Sequence, residues 1–154
     1  HEGDVIVGNI GSKDKFDYTV IGDTVNLASR LEGLTKHYSS HIIVSQSIQD
    51  RLSGKILFRE LDNVRVKGKE IPTTIYKLEN IRKNSFPDDA VKLYNKALSM
   101  YKIQNWDTAI EYFTRVLATI PDDDVSQMYI DRCNNYKVSP PPKDWDGTRD
   151  LDFK

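Results

Sequence analysis

Apolar residues fall in short β-branched runs in the first half of the chain and recur at helical spacing in the second. Val5, Ile6 and Val7 predict a short buried strand, ended by a turn through Gly8, Asn9, Ile10 and Gly11. A polar loop over 12–15 follows, and residues 16–21 run back as the hairpin partner. Leu27, Leu31, Leu34 and Tyr38 stand at i, i+4, i+7 and i+11, one stripe of a helix over about 24–38. Residues 41–45 then read as a central strand, and 47–52 as a short helix capped by Ser45 or Ser47 and stopped at Gly54. Ile56, Leu57 and Phe58 begin another strand. Val64 to Val66 and Thr73 to Lys77 read as a final hairpin around Gly68. Strands alternating with helices predict an α/β or α+β layer with one sheet, and the helical patterns that follow make the chain as a whole α+β.

The pattern changes near Glu79. Lys83, Asn84, Ser85 and Pro87 mark a connector, and every later pattern is helical. Asp88 or Asp89 is the expected cap of a helix to about Lys102, with Leu93, Ala97 and Met100 or Tyr101 on its stripe. Ala109, Ile110, Phe113, Val116 and Leu117 define a second helix over 106–119, and residues 125–136 a third. Residues 139–147 hold too much proline for regular structure, with Trp145 and Leu151 available to staple this tail to a neighbouring surface. The expected organisation is therefore 1–80, a linker over 81–87, helices over 88–136 and a tail over 137–154.

Composition narrows the possible functions. The 154 residues carry 22 basic and 23 acidic side chains, a net charge of −1, which gives no electrostatic basis for binding nucleic acid or an anionic membrane. No apolar run approaches the roughly 20 residues that span a bilayer. The single cysteine, Cys133, has no intramolecular partner, which fits a reducing, cytoplasmic compartment. A chain that opens on His1 reads as a fragment, and its parent has room for a membrane tether outside this sequence.

The candidate chemistry gathers where the hairpin meets the first helix. Tyr18 to Ile21 lead through Gly22 and Asp23 straight into the helix, and Asn26 and Arg30 lie four residues apart on a face away from the leucines. A helix N-terminus and a guanidinium fork both suit phosphate oxygens. The same pattern equally serves a helix capped by Asp23 or Thr24 with a solvated polar face. Gly8 and Gly11 have neither the Walker nor the dinucleotide spacing and read as a turn. His37 and His41 straddle a helix end and a strand start with no cysteine or third histidine nearby, so coordination is not expected.

Residues 17–33, Asp-Tyr-Thr-Val-Ile-Gly-Asp-Thr-Val-Asn-Leu-Ala-Ser-Arg-Leu-Glu-Gly, resemble the most recognisable block of the class III nucleotide cyclases. Residues 1–12 resemble the strand and glycine turn upstream of it. Residues 61–69, followed by Pro72 and Tyr76-Lys-Leu78, resemble the closing strands. This order identifies the segment with the C-terminal half of a bacterial-type catalytic domain. It implies part of a ferredoxin-like sheet with helices, followed here by an all-α hairpin or repeat. The reaction it implies is conversion of ATP to 3′,5′-cyclic AMP and pyrophosphate, the ribose 3′-hydroxyl attacking the α-phosphorus, in a homodimer whose site forms between two domains. On this sequence the resemblance assigns the purine edge to Thr19, the ribose to Asn26, the α-phosphate to Arg30 and the terminal phosphates to Lys67, with Lys69 as the alternative to Lys67. Thr19 favours ATP over GTP, since guanylate cyclases typically have Cys there. Two ions, Mg2+ or Mn2+, are expected to be held by aspartates upstream of His1, so this stretch alone is expected to be inactive. The competing reading is a degenerate cyclase scaffold that presents its helices to a protein partner.

Residues 101–113 together with Pro121 resemble a tetratricopeptide repeat, departing from it where Gln104 replaces the usual turn glycine. One such unit buries too little by itself. It is expected to pack on the cyclase sheet, on a partner subunit or on another protein, and a simple lid over the core is the bland alternative.

Overall fold

The computed structural model describes residues 1–12, 15–66, 70–79 and 86–151. Lys67 and Lys69 lie outside the described residues, as does most of the expected linker.

Strands β1 (Ile6–Ser12) and β2 (Lys15–Ile21) pair antiparallel, with Ile6 opposite Ile21 and Gly8 opposite Thr19. They form a sheet of their own, so the single sheet expected from the sequence is two among the described residues. Val5, Ile6 and Val7 are 43%, 66% and 50% exposed rather than buried. Ile6 and Val7 open the strand, but Val5 precedes it and the turn expected over 8–11 is paired strand instead, in a two-stranded ribbon that leaves these side chains uncovered.

Helix α1 (Asp23–Gly33) starts from Gly22, whose φ of 149° lies where glycine is favoured. The Gly22 carbonyl accepts from the Asn26 amide at 3.2 Å, and neither Asp23 nor Thr24 acts as the cap. The α-helix stops short of the expected Tyr38, yet hydrogen-bonded turns continue the stripe. The Leu34 amide donates to the Arg30 carbonyl at 3.3 Å and the Tyr38 amide to Leu34 at 3.1 Å. Leu34 and Tyr38 therefore stay buried beside Leu27 and Leu31.

The second sheet contains β3 (Ile43–Ser45), β4 (Phe58–Val66), β5 (Thr73–Leu78) and β6 (Thr148–Leu151), in the order β3, β5, β4, β6. Helix α2 (Gln46–Leu52) follows β3, which is an edge strand and not a central one. The unforeseen member is β6. Its four residues are too few and too polar to announce a strand, yet they pair parallel with β4, Asn63 to Thr148 through Val66 to Leu151. Leu151 is buried, as its expected role as a staple requires.

The register of β4 against β5 shifts between Glu60 and Asp62. Such a bulge interrupts the two-residue alternation. In consequence Arg59 and Leu61 before it, and Asp62, Val64 and Val66 after it, are all buried. The main-chain carbonyls at this irregularity are satisfied by phenols from the helical layer, Tyr94 Oη donating to Glu60 O at 2.8 Å and Tyr129 Oη to Leu61 O at 2.7 Å.

That layer is α3 (Asp88–Lys102), α4 (Trp106–Thr119) and α5 (Asp124–Val138). Pro87 occupies the cap position of α3 in place of the expected aspartates, Asn105 caps α4 through the Thr108 amide, and Asp123 caps α5 through Ser126. Gln104 adopts φ 62° in the turn between α3 and α4, and its amide donates to Pro142 O at 3.0 Å. A side chain thus ties down the tail at a position where glycine would have eased the turn. Trp145 packs among Tyr101, Trp106 and Tyr136 at centroid distances of 5.3, 6.0 and 5.4 Å. One continuous core joins Leu27, Leu31 and Tyr38 to Leu61, Ile75, Tyr94, Phe113 and Tyr129, so the helices bury themselves on the sheet.

Candidate functional site

Leu27 and Leu31 anchor α1 to the core, which turns the residues one position earlier, Asn26 and Arg30, to the surface. They share one exposed face, a single turn apart. Thr19 stands in the middle of β2 and is exposed. Lys67 is outside the described residues, but Val66 before it is buried and paired with Leu151.

Arg30 lines a cavity of about 350 Å3 with Gly33, Leu34, His37, Val66 and Leu151. Its floor is apolar and its rim basic. The lining includes neither Thr19 nor Asn26. The helix sets Asn26 and Arg30 one turn apart, while Thr19 is exposed on β2 outside that cavity's lining. A phosphate gripped by Arg30 would be covered from one side only, and a complete site needs a second surface opposite.

The strongly perturbed groups lie elsewhere, in the seam between β4 and the helices. Arg59 is fully buried; its two terminal nitrogens donate to Asp123 at 2.7 and 2.8 Å, and Nε lies 2.7 Å from Glu79 Oε1. The guanidinium also stacks 4.1 Å from the Phe86 ring centroid and 4.7 Å from that of Tyr94. Burial by itself would raise the Asp123 carboxyl, but hydrogen bonds and charge from Arg59, with help from Ser126, hold it below the ordinary carboxylate range. Asp62 accepts from Tyr38 Oη at 2.7 Å and from Arg132 Nη1 at 2.6 Å. Burial, and then the Asp62 charge, push the Tyr38 phenol far up. Burial, with Arg149 and Arg132 behind it, lowers the His37 imidazole.

None of these buried charges was visible as a site in the sequence. No local signal separated Arg59 and Asp62 from Glu60, Asn63 and Arg65 in the same strand; the bulge decides which of them turn inward. Arg59, Asp62 and Arg132 pair with buried partners and hold the sheet to the helices.

The resemblance to cyclases implies two divalent ions. Among the described residues no three His, Cys, Asp or Glu side chains converge as a metal site, so these residues do not fit such a pair, and the roles below belong to side chains alone. No helix among the described residues is long and apolar enough to cross a membrane.

The adenylate and guanylate cyclase catalytic domain matches residues 1–80. The terminal-differentiation specific adenylate cyclase of Dictyostelium discoideum is 32% identical over 137 residues, covering 85% of this chain and 6% of that protein. That length cannot fit within 1–80, so the likeness extends into the helical segment. The adenylate cyclase of Anabaena cylindrica is 44% identical over 82 residues, covering 51% of this chain and 16% of its own. The crystal structure of the adenylyl cyclase CyaB from P. aeruginosa superimposes with a TM-score of 0.42 at 35% identity, covering 52% of this chain and 40% of that one. The chain spans only a small part of its curated relatives. With the family's domain matched over residues 1–80, more than half of its length, the chain belongs to the adenylate and guanylate cyclase catalytic domain family.

Proposed function

We propose that this chain supplies the transition-state half of an adenylate cyclase site, converting ATP to 3′,5′-cyclic AMP and pyrophosphate across a homodimer interface. The observation that carries the reading is the pair Asn26 and Arg30, one turn apart on the exposed face of a helix whose opposite face is locked into the core. In this reading the Arg30 fork binds the α-phosphate oxygens, where negative charge accumulates as the 3′-hydroxyl attacks and the bond to pyrophosphate breaks. Asn26 holds the ribose so that the attacking oxygen stays in line. The Thr19 hydroxyl accepts from the adenine amino group, and Lys67 pairs with the terminal phosphates. The one-sided exposure of this surface supports a second protomer as its cover. The family generally uses Mg2+ or Mn2+; the aspartates expected to hold the ions lie upstream of His1, so residues 1–154 alone are expected to make no product.

The test is product formation by the whole protein that carries this chain, with ATP and GTP offered separately alongside Mg2+ or Mn2+. Cyclic AMP from ATP with little cyclic GMP supports both the reaction and the role of Thr19. Cyclic GMP instead overturns the purine assignment and keeps the mechanism. A folded dimer that makes neither overturns the enzyme reading in favour of a scaffold that presents its helical segment to a protein partner. Product from residues 1–154 alone would overturn the dependence on residues outside them.

A further inference from the structure

Tyr38 lies five residues beyond α1, and its side chain ends in the seam between β4 and α5. Asp62, 2% exposed, accepts there from both Tyr38 and Arg132 on one oxygen. The Arg132 guanidinium lies 6.0 Å from the Tyr38 ring centroid and 5.0 Å from that of Tyr129. Main-chain bonds lead back from Tyr38 to Leu34 and from Leu34 to the carbonyl of Arg30 itself. A second link runs alongside, in which Arg149 Nη1 stands 3.3 Å from His37 Nε2. A third is the cavity wall, where Leu151 of β6 and Val66 of β4 line the same cavity as Arg30. All three links start from residues 132–151, outside the segment that matches the catalytic domain.

Apolar packing of Leu27, Leu31 and Leu34 is non-directional and fixes the depth of α1 better than its rotation or slide. Bonds to a buried carboxylate are directional. Moving the α1 end away from Asp62 would strip one donor from a charge that no water can reach, which the low-dielectric seam penalises heavily. From this we infer that the C-terminal segment from α5 to β6 is a positioning element of the cyclase site, with Arg132 acting through Asp62 and Tyr38 to fix the helix that bears Asn26 and Arg30. The inference rests on the role given to those two residues above. It assigns to the helical layer a task beyond covering the sheet.

The experiment uses the whole protein with Tyr38→Phe, Arg132→Leu, Arg132→Lys and, as a control on the same helix, Lys137→Ala. Two quantities are read: kcat and KM for ATP, and amide hydrogen exchange over residues 23–38. Tyr38→Phe keeps the ring and removes only the bond to Asp62. It is expected to lower kcat about tenfold with KM within about twofold, since small misplacements of catalytic groups cost rate more than binding. Arg132→Leu is expected to lower kcat further and Arg132→Lys to recover part of the loss, while Lys137→Ala changes neither quantity. Exchange over 23–38 should quicken in the Tyr38 and Arg132 variants. A Tyr38→Phe protein with wild-type kcat overturns the inference, even if its melting temperature falls, and it decides the matter should Arg132→Leu not fold. If the wild-type protein makes no cyclic nucleotide, the catalytic reading of Asn26 and Arg30 is what fails. Exchange over 23–38 then still decides whether Arg132 holds α1, and unchanged exchange overturns that as well.

Discussion

Arg30 and Arg59 are the same side chain in opposite surroundings. Arg59 points inward from a bulged strand, with two carboxylates on its nitrogens and two rings stacked on its plane. Arg30 lies on the outer face of a helix at the edge of an open cavity. Every direction in which Arg59 could bind something is already occupied by protein, and its free energy is spent on cohesion. The surroundings of Arg30 leave space for a ligand. Chemical type alone therefore does not separate these two arginines; the extent to which the fold encloses each does.

The contrast can be broken most severely at Arg59. Arg59→Leu leaves Asp123 and Glu79 as buried, uncompensated charges, and is expected to cost about 3–5 kcal/mol of stability. Cys133 offers a direct readout. Burial pushes its thiol up to about 12, so a thiol reagent at neutral pH should label it only through unfolding, and much faster in the variant. Arg30→Ala in the whole protein should do the reverse, lowering kcat by about 10²–10³. Its urea midpoint should correspond to a change within about 0.5 kcal/mol. Equal loss of stability at both positions would dissolve the distinction.

Acid sharpens it further. The folded Asp123 carboxyl has a pKa lower than its unfolded value, so its contribution is complete above the unfolded value of about 3.8. That contribution disappears as pH falls through the lower folded value. Stability measured from pH 5 downward should therefore fall, and Asp123→Asn should flatten that part of the curve. The smallest effect belongs to Lys137→Ala, whose exposed pair with Asp107 is worth less than about 1 kcal/mol although it shares a helix with Arg132.

The elements that depend on local pattern were legible in the sequence. The helix over 106–119 appears with its expected bounds, and the Leu27, Leu31, Leu34, Tyr38 stripe is buried as its spacing requires. Features set by distant partners were not. Nothing local to Thr148–Leu151 announces a strand, because the β4 edge it joins is supplied some 85 residues earlier. The exposure of Val5, Ile6 and Val7 is illegible for the same reason, since a β-branched run specifies an extended backbone but not what lies above it. Asn26 and Arg30 could be read as a pair because four residues of helix bring them together without help from the rest of the chain. Their support from Asp62 and Arg132 could not, because it depends on a one-residue irregularity in β4 and on a helix 70 residues away.

The parallel pairing of β6 with β4 also has a meaning in time. A ribosome releases the chain from its N-terminus, so β4 and α1 emerge long before the segment that borders them. Closing a loop of that length carries an entropic cost that local helices avoid, which makes the β6–β4 pairing a late event relative to α1. Until Leu151 has left the exit tunnel, Val66 has no neighbour on that side and the wall beside Arg30 is incomplete. On the positioning role inferred above, Asn26 and Arg30 reach their working geometry only after residues 148–151 have been made, well after their own helix can form.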